Sequence, residues 1–535
     1  MAQTCGEQLI RLLEGYGVDF VFGIPGVHTV ELYRGLKSSS IRHVTPRHEQ
    51  GVGFMADGYA RSTGKVGVCL CITGPGMTNI ATAMGQAYAD SIPMLVISGV
   101  NQTNTLGLGH GQLHEMKNQR EMLSGVTSFS HTLLNADTLP EVMARAFAIL
   151  RAERPRPVHI EIPIDLMSQP VADVAPHLPV LPSRPGPDGQ IVAEIVAKIA
   201  KAERPALLIG GGCVDAALEV TKFAELVGAP TALTINARGI LPASHPLLVD
   251  GVQSLDVFRD FIAQTDLCVA IGTELGETDY DFFGKGPLAF GGDLVRIDID
   301  PRQMSANASP SIAMISDAAL ALRALNRALN EADHSPSQKQ GPEIAQQINA
   351  STRAGFKSES AQYSDLMDAI LTAQPDAIIV GDSTKPIYHM NFCHRAAAPR
   401  RWFNSVTGFG TLGYALPAAI GAKVGNPNAP VVAIAGDGGF QFTLNELMTA
   451  RQENTPIAVI VWNNSAYREI RDYMTDADIA PIGVDVQCPD LNLLAGAMGA
   501  EHVKANNISD IQDALRPLKQ RPTPLIVEYV PELDA

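Results

Sequence analysis

Two short stretches near the C-terminus carry residue types suited to holding a phosphate and a metal ion together. The apolar run Val431–Ala435 is followed by Gly436-Asp437-Gly438-Gly439. Glycines let a backbone approach a ligand closely, and the N–H groups at a following helix start, with the helix dipole, favour phosphate. Asp437 then offers a carboxylate beside that phosphate. Twenty-four residues separate Gly438 from Asn463-Asn464, which follows the next apolar run, Ile457–Val461. Neighbouring parallel strands would set these two loops side by side. A carboxylate, an amide oxygen and a backbone carbonyl form an all-oxygen donor set that suits Mg²⁺, which keeps water and phosphate oxygens in its other positions. Either motif alone is equally a turn or a loop; their spacing, with both placed after strands, is what carries the signal. Thr443 and Glu446 have the spacing of a capping box and predict a helix opening at Thr443. In the N-terminal part, Arg47-His48-Glu49-Gln50 precedes Gly51 and a run of small residues through Ala60. By itself Glu49 is a carboxylate near a helix start, where the dipole favours negative charge.

The elements that must position these residues read as strands alternating with helices. The strand-like runs are Phe20–Phe22, Val66–Ile72, Met94–Ser98 and Val158–Ile162, then Ala206–Ile209, Leu267–Ile271 and Leu294–Ile299, then Ala377–Val380, Val431–Ala435, Ile457–Val461 and Leu525–Val527. Nearly continuous apolar strands imply parallel sheets covered on both faces, so the expected fold class is α/β with three doubly wound parallel-sheet domains. Ligands in such sheets bind beyond the carboxyl ends of the strands. Two segments read as linkers: the proline-rich Gln169 to Gln190 and the polar Glu331 to Glu343. They delimit expected domains at 1–168, 191–330 and 344–535.

Composition bounds the function. The chain has 535 residues, 46% hydrophobic and 18% charged, which excludes general disorder. A net charge of −16 disfavours nucleic acid as a partner, because phosphate-backbone binding needs clustered Lys and Arg. The apolar runs fall short of the roughly 18–20 residues that span a bilayer, and no basic-then-apolar leader opens the sequence. No membrane partner is expected, and the location expected is cytoplasmic. Seven scattered cysteines form no CxxC pair. Cys69 and Cys71 share one face of a strand, as a redox pair or, more simply, as small buried hydrophobes.

The Gly-Asp-Gly motif, its spacing and the Asn-Asn pair resemble the thiamine diphosphate motif of the acetolactate synthase and pyruvate decarboxylase superfamily. The resemblance covers nearly the whole chain. It implies a pyrimidine-binding domain, a central nucleotide-fold-like domain and a diphosphate-binding domain, with thiamine diphosphate and Mg²⁺ as cofactors. Asp437, the Asn464 side chain and the Ala466 carbonyl would then ligate the metal, beside Gly436, Gly438 and Gly439. Gly408-Phe409-Gly410-Thr411-Leu412-Gly413 looks like the loop that bends the cofactor, with Leu412 as its apolar wedge and the Gly410 carbonyl accepting from the aminopyrimidine. Ser383 and Thr384 look like diphosphate contacts. Glu49 stands in the setting of the family's catalytic glutamate, where a carboxylic acid donates to the pyrimidine ring and an apolar surrounding favours its protonated form. Thr73-Gly74-Pro75-Gly76 and Asn79 look like the family's turn over the cofactor. The resemblance also implies a homodimer or homotetramer with active sites at the subunit interface.

Within that superfamily, Leu113-His114-Glu115 stands where acetolactate synthases carry Phe-Gln-Glu, and Val126-Thr127-Ser128-Phe129 offers no Lys. Leu248-Val249-Asp250-Gly251 and Gly272-Thr273-Glu274-Leu275 likewise depart from the flavin-binding pattern, although Gly210-Gly211-Gly212 keeps a glycine loop. Stretches such as Gly23 to Tyr33, Arg42 to Glu49, Gln86 to Ser91 and Arg154 to His159 are similar to the decarboxylases of 5-guanidino-2-oxopentanoate in bacterial arginine catabolism. The activity this implies is non-oxidative decarboxylation of that 2-oxo acid to 4-guanidinobutanal and CO₂. The alternative is a carboligase that joins two 2-oxo acids or an aldehyde. A guanidinium end wants a carboxylate partner, for which Glu469 and Asp472 are candidates, with Asp476 and Asp478 further on. His28 and His114 are candidates for steering the substrate carboxylate or moving a proton. Each of these residues is equally at home as a solvated or structural side chain.

Overall fold

A computed structural model of the protein describes residues 3–172, 180–250, 253–334, 340–356 and 360–531. Within them lie three parallel sheets of six strands, flanked by helices. The chain forms two compact units: Met1–Ser183 with Ile379–Thr384 and Phe409–Ala535, and Arg184–Ile378 with Lys385–Gly408.

The N-terminal sheet contains β1 (Phe20–Gly23), β2 (Arg42–Val44), β3 (Gly67–Cys71), β4 (Met94–Val100), β5 (Phe129–Thr132) and β6 (Val158–Pro163), ordered β2-β1-β3-β4-β6-β5. The middle sheet contains β7 (Pro205–Ile209), β8 (Thr231–Leu233), β9 (Leu248–Val249), β10 (Leu267–Ile271), β11 (Asp293–Asp298) and β12 (Ile312–Ile315). Its order, β12-β11-β10-β7-β8-β9, is that of a dinucleotide-fold sheet read from the other edge. The C-terminal sheet contains β13 (Ile378–Gly381), β14 (Trp402–Asn404), β15 (Val431–Gly436), β16 (Ala458–Trp462), β17 (Glu501–Ala505) and β18 (Leu525–Tyr529), ordered β14-β13-β15-β16-β18-β17. It repeats the winding of the N-terminal sheet, and its order reverses between β13 and β15. Such a reversal opens the crevice at the strand ends where ligands sit.

All the apolar runs expected to be strands are strands. Those left out are the six edge strands β2, β5, β9, β12, β14 and β17, together with the three-residue β8. β2, β5, β12 and β17 keep exposed or half-buried residues and so lack the continuous apolar signal, β17 reading Glu-His-Val-Lys-Ala, whereas β9 and β14 are buried but only two and three residues long. The central strands β3, β4, β6, β7, β10 and β16 are buried along their whole length. Cys69 and Cys71 lie in that core as free, fully buried thiols.

The helix Glu49–Thr63 packs backbone to backbone against the helix Ala415–Gly425. A Cβ on Gly58 would lie 2.0 Å from the Ala418 carbonyl oxygen, and one on Gly421 would lie 1.9 Å from that of Met55. Only glycine permits this approach. Of the two expected linkers, residues 173–179 and 335–339 lie outside the described residues. Helices Gly189–Lys201 and Gly341–Ala354 begin inside the C-terminal ends of both segments. Gly251, from the flavin comparison, also lies outside the described residues. Among the described residues no helix is long and apolar enough to cross a membrane.

Candidate functional site

β15 delivers Gly436 at its end, and Asp437 opens the short helix Asp437–Gln441. β16 pairs in parallel with β15 and delivers Asn463 and Asn464 alongside. Asp437 is 1% exposed, and its Oδ1 accepts from the Asn464 N–H at 3.4 Å. Burial raises its pKa, opposed by the N–H groups of Asn464, Gly438 and Ser465. Asp437 Oδ2 and Asn464 Oδ1 are both buried with no hydrogen-bond partner. Two orphaned buried acceptors at adjacent strand ends call for a shared positive charge, because an unpaired buried acceptor is costly. Ala466, 6% exposed, is fixed by an antiparallel bridge to Asp485. These residues fit a hard cation with oxygen ligands.

The neighbouring loops belong to the same crevice. Ser383 and Thr384 follow β13, and the Ser383 hydroxyl donates to the Thr411 carbonyl at 3.4 Å. Gly410, at φ +68°, has open space on its Cβ side, and Leu412 is half-buried. The organiser is Asp382, which the sequence reading passed over. Its carboxylate accepts from the N–H groups of Ser383 (2.9 Å) and Gly413 (2.9 and 3.2 Å). Burial pushes its pKa up to about 6 against those N–H donors.

Glu49 is the first residue of its helix, capped by His48, whose Nδ1 accepts from Gln50 N at 3.1 Å. The Glu49 carboxylate is half-buried and accepts from Asn79 Nδ2 at 2.9 Å. The expected capping box at Thr443 and Glu446 does not form. Thr443 makes no side-chain cap bond, and its hydroxyl donates to the Gly413 carbonyl at 2.8 Å. Glu446 is fully buried and instead accepts the N–H groups of Arg47 (3.0 and 3.1 Å) and His48 (3.1 Å). A tertiary partner nearly four hundred residues away outcompeted the local one, and no sequence pattern signals it.

His28 and His114 do come together, with perpendicular rings 5.2 Å apart. His28 Nδ1 is buried without a partner, and burial, with the neighbouring His114, lowers its pKa. Beside them Gly74 takes φ +68°, and its N–H donates to the buried Gln119 carboxamide at 2.9 Å. None of the described hydrogen bonds joins the Glu49 group to Asp437 or Asn464. Glu469 and Asp472 lie half-buried on the helix Arg468–Asp476, where Asp472 pairs with Arg468 at 3.0 Å.

Residues 3–122 match the N-terminal TPP-binding domain of thiamine pyrophosphate enzymes, 192–325 their central domain and 380–529 their C-terminal TPP-binding domain. Over 96% of this chain and 91% of the relative, the sequence is 44% identical to the protein named "Probable 2-ketoarginine decarboxylase AruI" of Pseudomonas aeruginosa. The chain belongs to the thiamine pyrophosphate enzymes. It is also 30% identical to the chloroplastic acetolactate synthase of Arabidopsis thaliana, over 98% of this chain and 80% of that protein. In fold it matches an X-ray structure assigned as a thiamin diphosphate-dependent enzyme of Mycobacterium smegmatis, with a TM-score of 0.81, 23% identity and coverage of 99% and 100% of the two chains. Thiamine diphosphate is therefore the cofactor of this enzyme, and the crevice beyond β13, β15 and β16 has the glycine turns and orphaned acceptors that a diphosphate with its cation requires.

The central domain of this thiamine pyrophosphate enzyme answers the question left by Gly210-Gly211-Gly212. A Cβ on Gly210 would lie 2.1 Å from the Gly272 carbonyl oxygen. The N–H groups of Gly210 and Gly212 donate to Ile271 (2.9 Å) and Gly272 (3.0 Å). These glycines let two strand-end loops touch, and the two N–H groups are already used within the fold.

Proposed function

We propose that the enzyme decarboxylates a 2-oxo acid without oxidation, converting 5-guanidino-2-oxopentanoate to 4-guanidinobutanal and CO₂ as a step in arginine catabolism. The observation that carries this reading is the 44% identity, over nearly the full length of both chains, with the Pseudomonas relative, against 30% with the acetolactate synthase. Leu113-His114-Glu115 and the Lys-free Val126 to Phe129 support it, because both depart from the synthase pattern.

In this reading Asp437, Asn464 and the Ala466 carbonyl hold Mg²⁺, and the two orphaned oxygens support the assignment. Gly436, Gly438, Gly439, Ser383 and Thr384 receive the diphosphate, while Gly410 and Leu412 shape the cofactor. Bound thiamine diphosphate supplies the electron sink that makes loss of CO₂ feasible. Glu49 holds a proton toward the aminopyrimidine, and Asn79 orients its carboxyl group through the 2.9 Å bond. His28 and His114 steer the substrate carboxylate, and the depressed pKa of His28 keeps that ring neutral, ready to exchange one proton. Partial burial of the carboxylate end favours its loss as neutral CO₂. Glu469 and Asp472 meet the guanidinium end, where Asp472 would exchange Arg468 for the substrate cation. The domains run 1–168, 191–330 and 344–535, and a cytoplasmic homodimer or homotetramer completes its sites at the subunit interface.

A panel of 2-oxo acids at fixed thiamine diphosphate and Mg²⁺, with aldehyde and acetoin-type products both detected, tests the proposal. Turnover of the guanidino acid to an aldehyde is the expected result. Efficient turnover of pyruvate to a ligated product, with the guanidino acid inert, would establish the carboligase instead.

A further inference from the structure

A ring of buried polar side chains in the first unit closes on both ends of the Thr411–Tyr414 segment. Gln86, on the helix Pro75–Ala89, is fully buried. Its Oε1 accepts both the backbone N–H of Thr411 (3.2 Å) and the Thr411 hydroxyl (2.9 Å). Its Nε2 donates to Asp90 at 2.6 Å. Asp90 pairs with Arg61 at 2.6 Å, Arg61 pairs with Asp57 at 2.6 Å, and Asp57 accepts from the Tyr414 hydroxyl. The ring thus returns to the loop three residues beyond the point at which it left.

The residue type at position 86 follows from the partners. A carboxamide can accept twice from Thr411 while donating to the Asp90 carboxylate. A glutamate there would set a second carboxylate against Asp90, and an apolar side chain would take the Gln86 acceptor away from the buried donor groups of Thr411. The preceding residue, Gly85, receives the Phe409 ring, whose nearest atom would lie 2.5 Å from a Cβ at that position. The loop is therefore pinned at 409, 411 and 414, while Gly410 between them keeps φ +68° and open space. A loop ordered before its ligand arrives binds more tightly than one ordered by the ligand.

We propose that Gln86 is a positioning residue for thiamine diphosphate: it acts through Thr411 to hold the Gly410–Leu412 turn in its binding shape, with the Asp90–Arg61–Asp57–Tyr414 chain as its brace. The proposal rests on the reading of that turn as part of the cofactor cradle. Calorimetric titration of the cofactor-stripped full-length protein with thiamine diphosphate, at fixed Mg²⁺, tests it. Gln86→Met and Thr411→Val each weaken cofactor binding about tenfold, whereas Thr411→Ser, which keeps the hydroxyl, stays within about twofold of the unaltered protein. Melting curves of the two cofactor-free Thr411 variants verify that both are folded before titration. Should Gln86→Met fail to fold, the Thr411 pair decides alone. Affinities of Gln86→Met and Thr411→Val within twofold of the unaltered protein would overturn the proposal. Equal losses in Thr411→Ser and Thr411→Val would do the same. Failure of the unaltered protein to bind thiamine diphosphate would overturn the functional reading together with this one, a pattern the variants alone cannot produce.

Discussion

The Glu446 carboxylate holds the backbone N–H of His48, 398 residues away in the chain, at 3.1 Å. It holds the Arg47 N–H as well, so one buried side chain fixes how the chain enters the helix that begins with Glu49. Glu446→Ala leaves both N–H groups without that acceptor and should cost about 1–3 kcal/mol for each one left unsatisfied. Denaturant unfolding measures the loss. Because the entry of the Glu49 helix shifts, kcat should fall more than cofactor affinity.

Glu49→Gln keeps the size and the hydrogen-bonding reach of the side chain and removes its titratable proton. It should bind thiamine diphosphate within a few-fold of the unaltered protein and lose activity by about 10²–10⁴, the range for a positioned acid or base. Cofactor titration and initial rates on the same preparation separate the two effects. Full activity in this variant would remove Glu49 from the chemistry.

Arg61 sits between Asp57 and Asp90 with its side chain 4% exposed. Arg61→Met leaves two buried carboxylates facing each other without their cation. The expected destabilisation is about 3–5 kcal/mol, read from equilibrium unfolding in urea. Replacing the cation alone is the damaging change; a packed apolar substitute for the whole cluster would cost far less.

His159 is fully buried, with Ser98 Oγ and Ser130 Oγ each 2.9 Å from its ring nitrogens. Burial lowers its pKa to about 3, well below the unfolded value. The unfolded chain therefore binds a proton that the native chain does not, between about pH 6.5 and pH 3. The stability His159 contributes is fully present above pH 6.5 and is lost as the pH falls through that window. His159→Gln should flatten the acid limb of a stability-against-pH curve there and leave the curve above pH 7 parallel to that of the unaltered protein.

Much of this architecture is legible in the sequence because it is local. The central strands announce themselves as continuous apolar runs, and Asp437 and Asn464 stand directly after two of them. Glu49 by itself reads only as a carboxylate near a helix start, and it stands out through the resemblance of Arg47-His48-Glu49-Gln50 to the family's glutamate setting. β17 is not legible, since four of its five residues are exposed or half-buried, and β9 and β14 are too short to carry a pattern. Asp382, Gln86 and Glu446 are equally silent, because each acts through backbone N–H groups or side chains far along the chain. Glu446 even misleads, since its local spacing with Thr443 imitates a helix cap. The triple glycine of the central domain is legible as a glycine loop, but only the contact with Gly272 shows what the glycines are for.

In the proposed function the enzyme releases CO₂ from a 2-oxo acid bearing a cationic end. The most direct test is kcat/KM for 5-guanidino-2-oxopentanoate and for pyruvate on one preparation, with CO₂ and aldehyde quantified together. One aldehyde is expected for each CO₂ from the guanidino acid, with a specificity constant about a hundredfold or more above that for pyruvate, the discrimination that a hydrogen-bonded charged partner supplies. Preferred turnover of pyruvate, with CO₂ released but a ligated product in place of the aldehyde, would contradict that function.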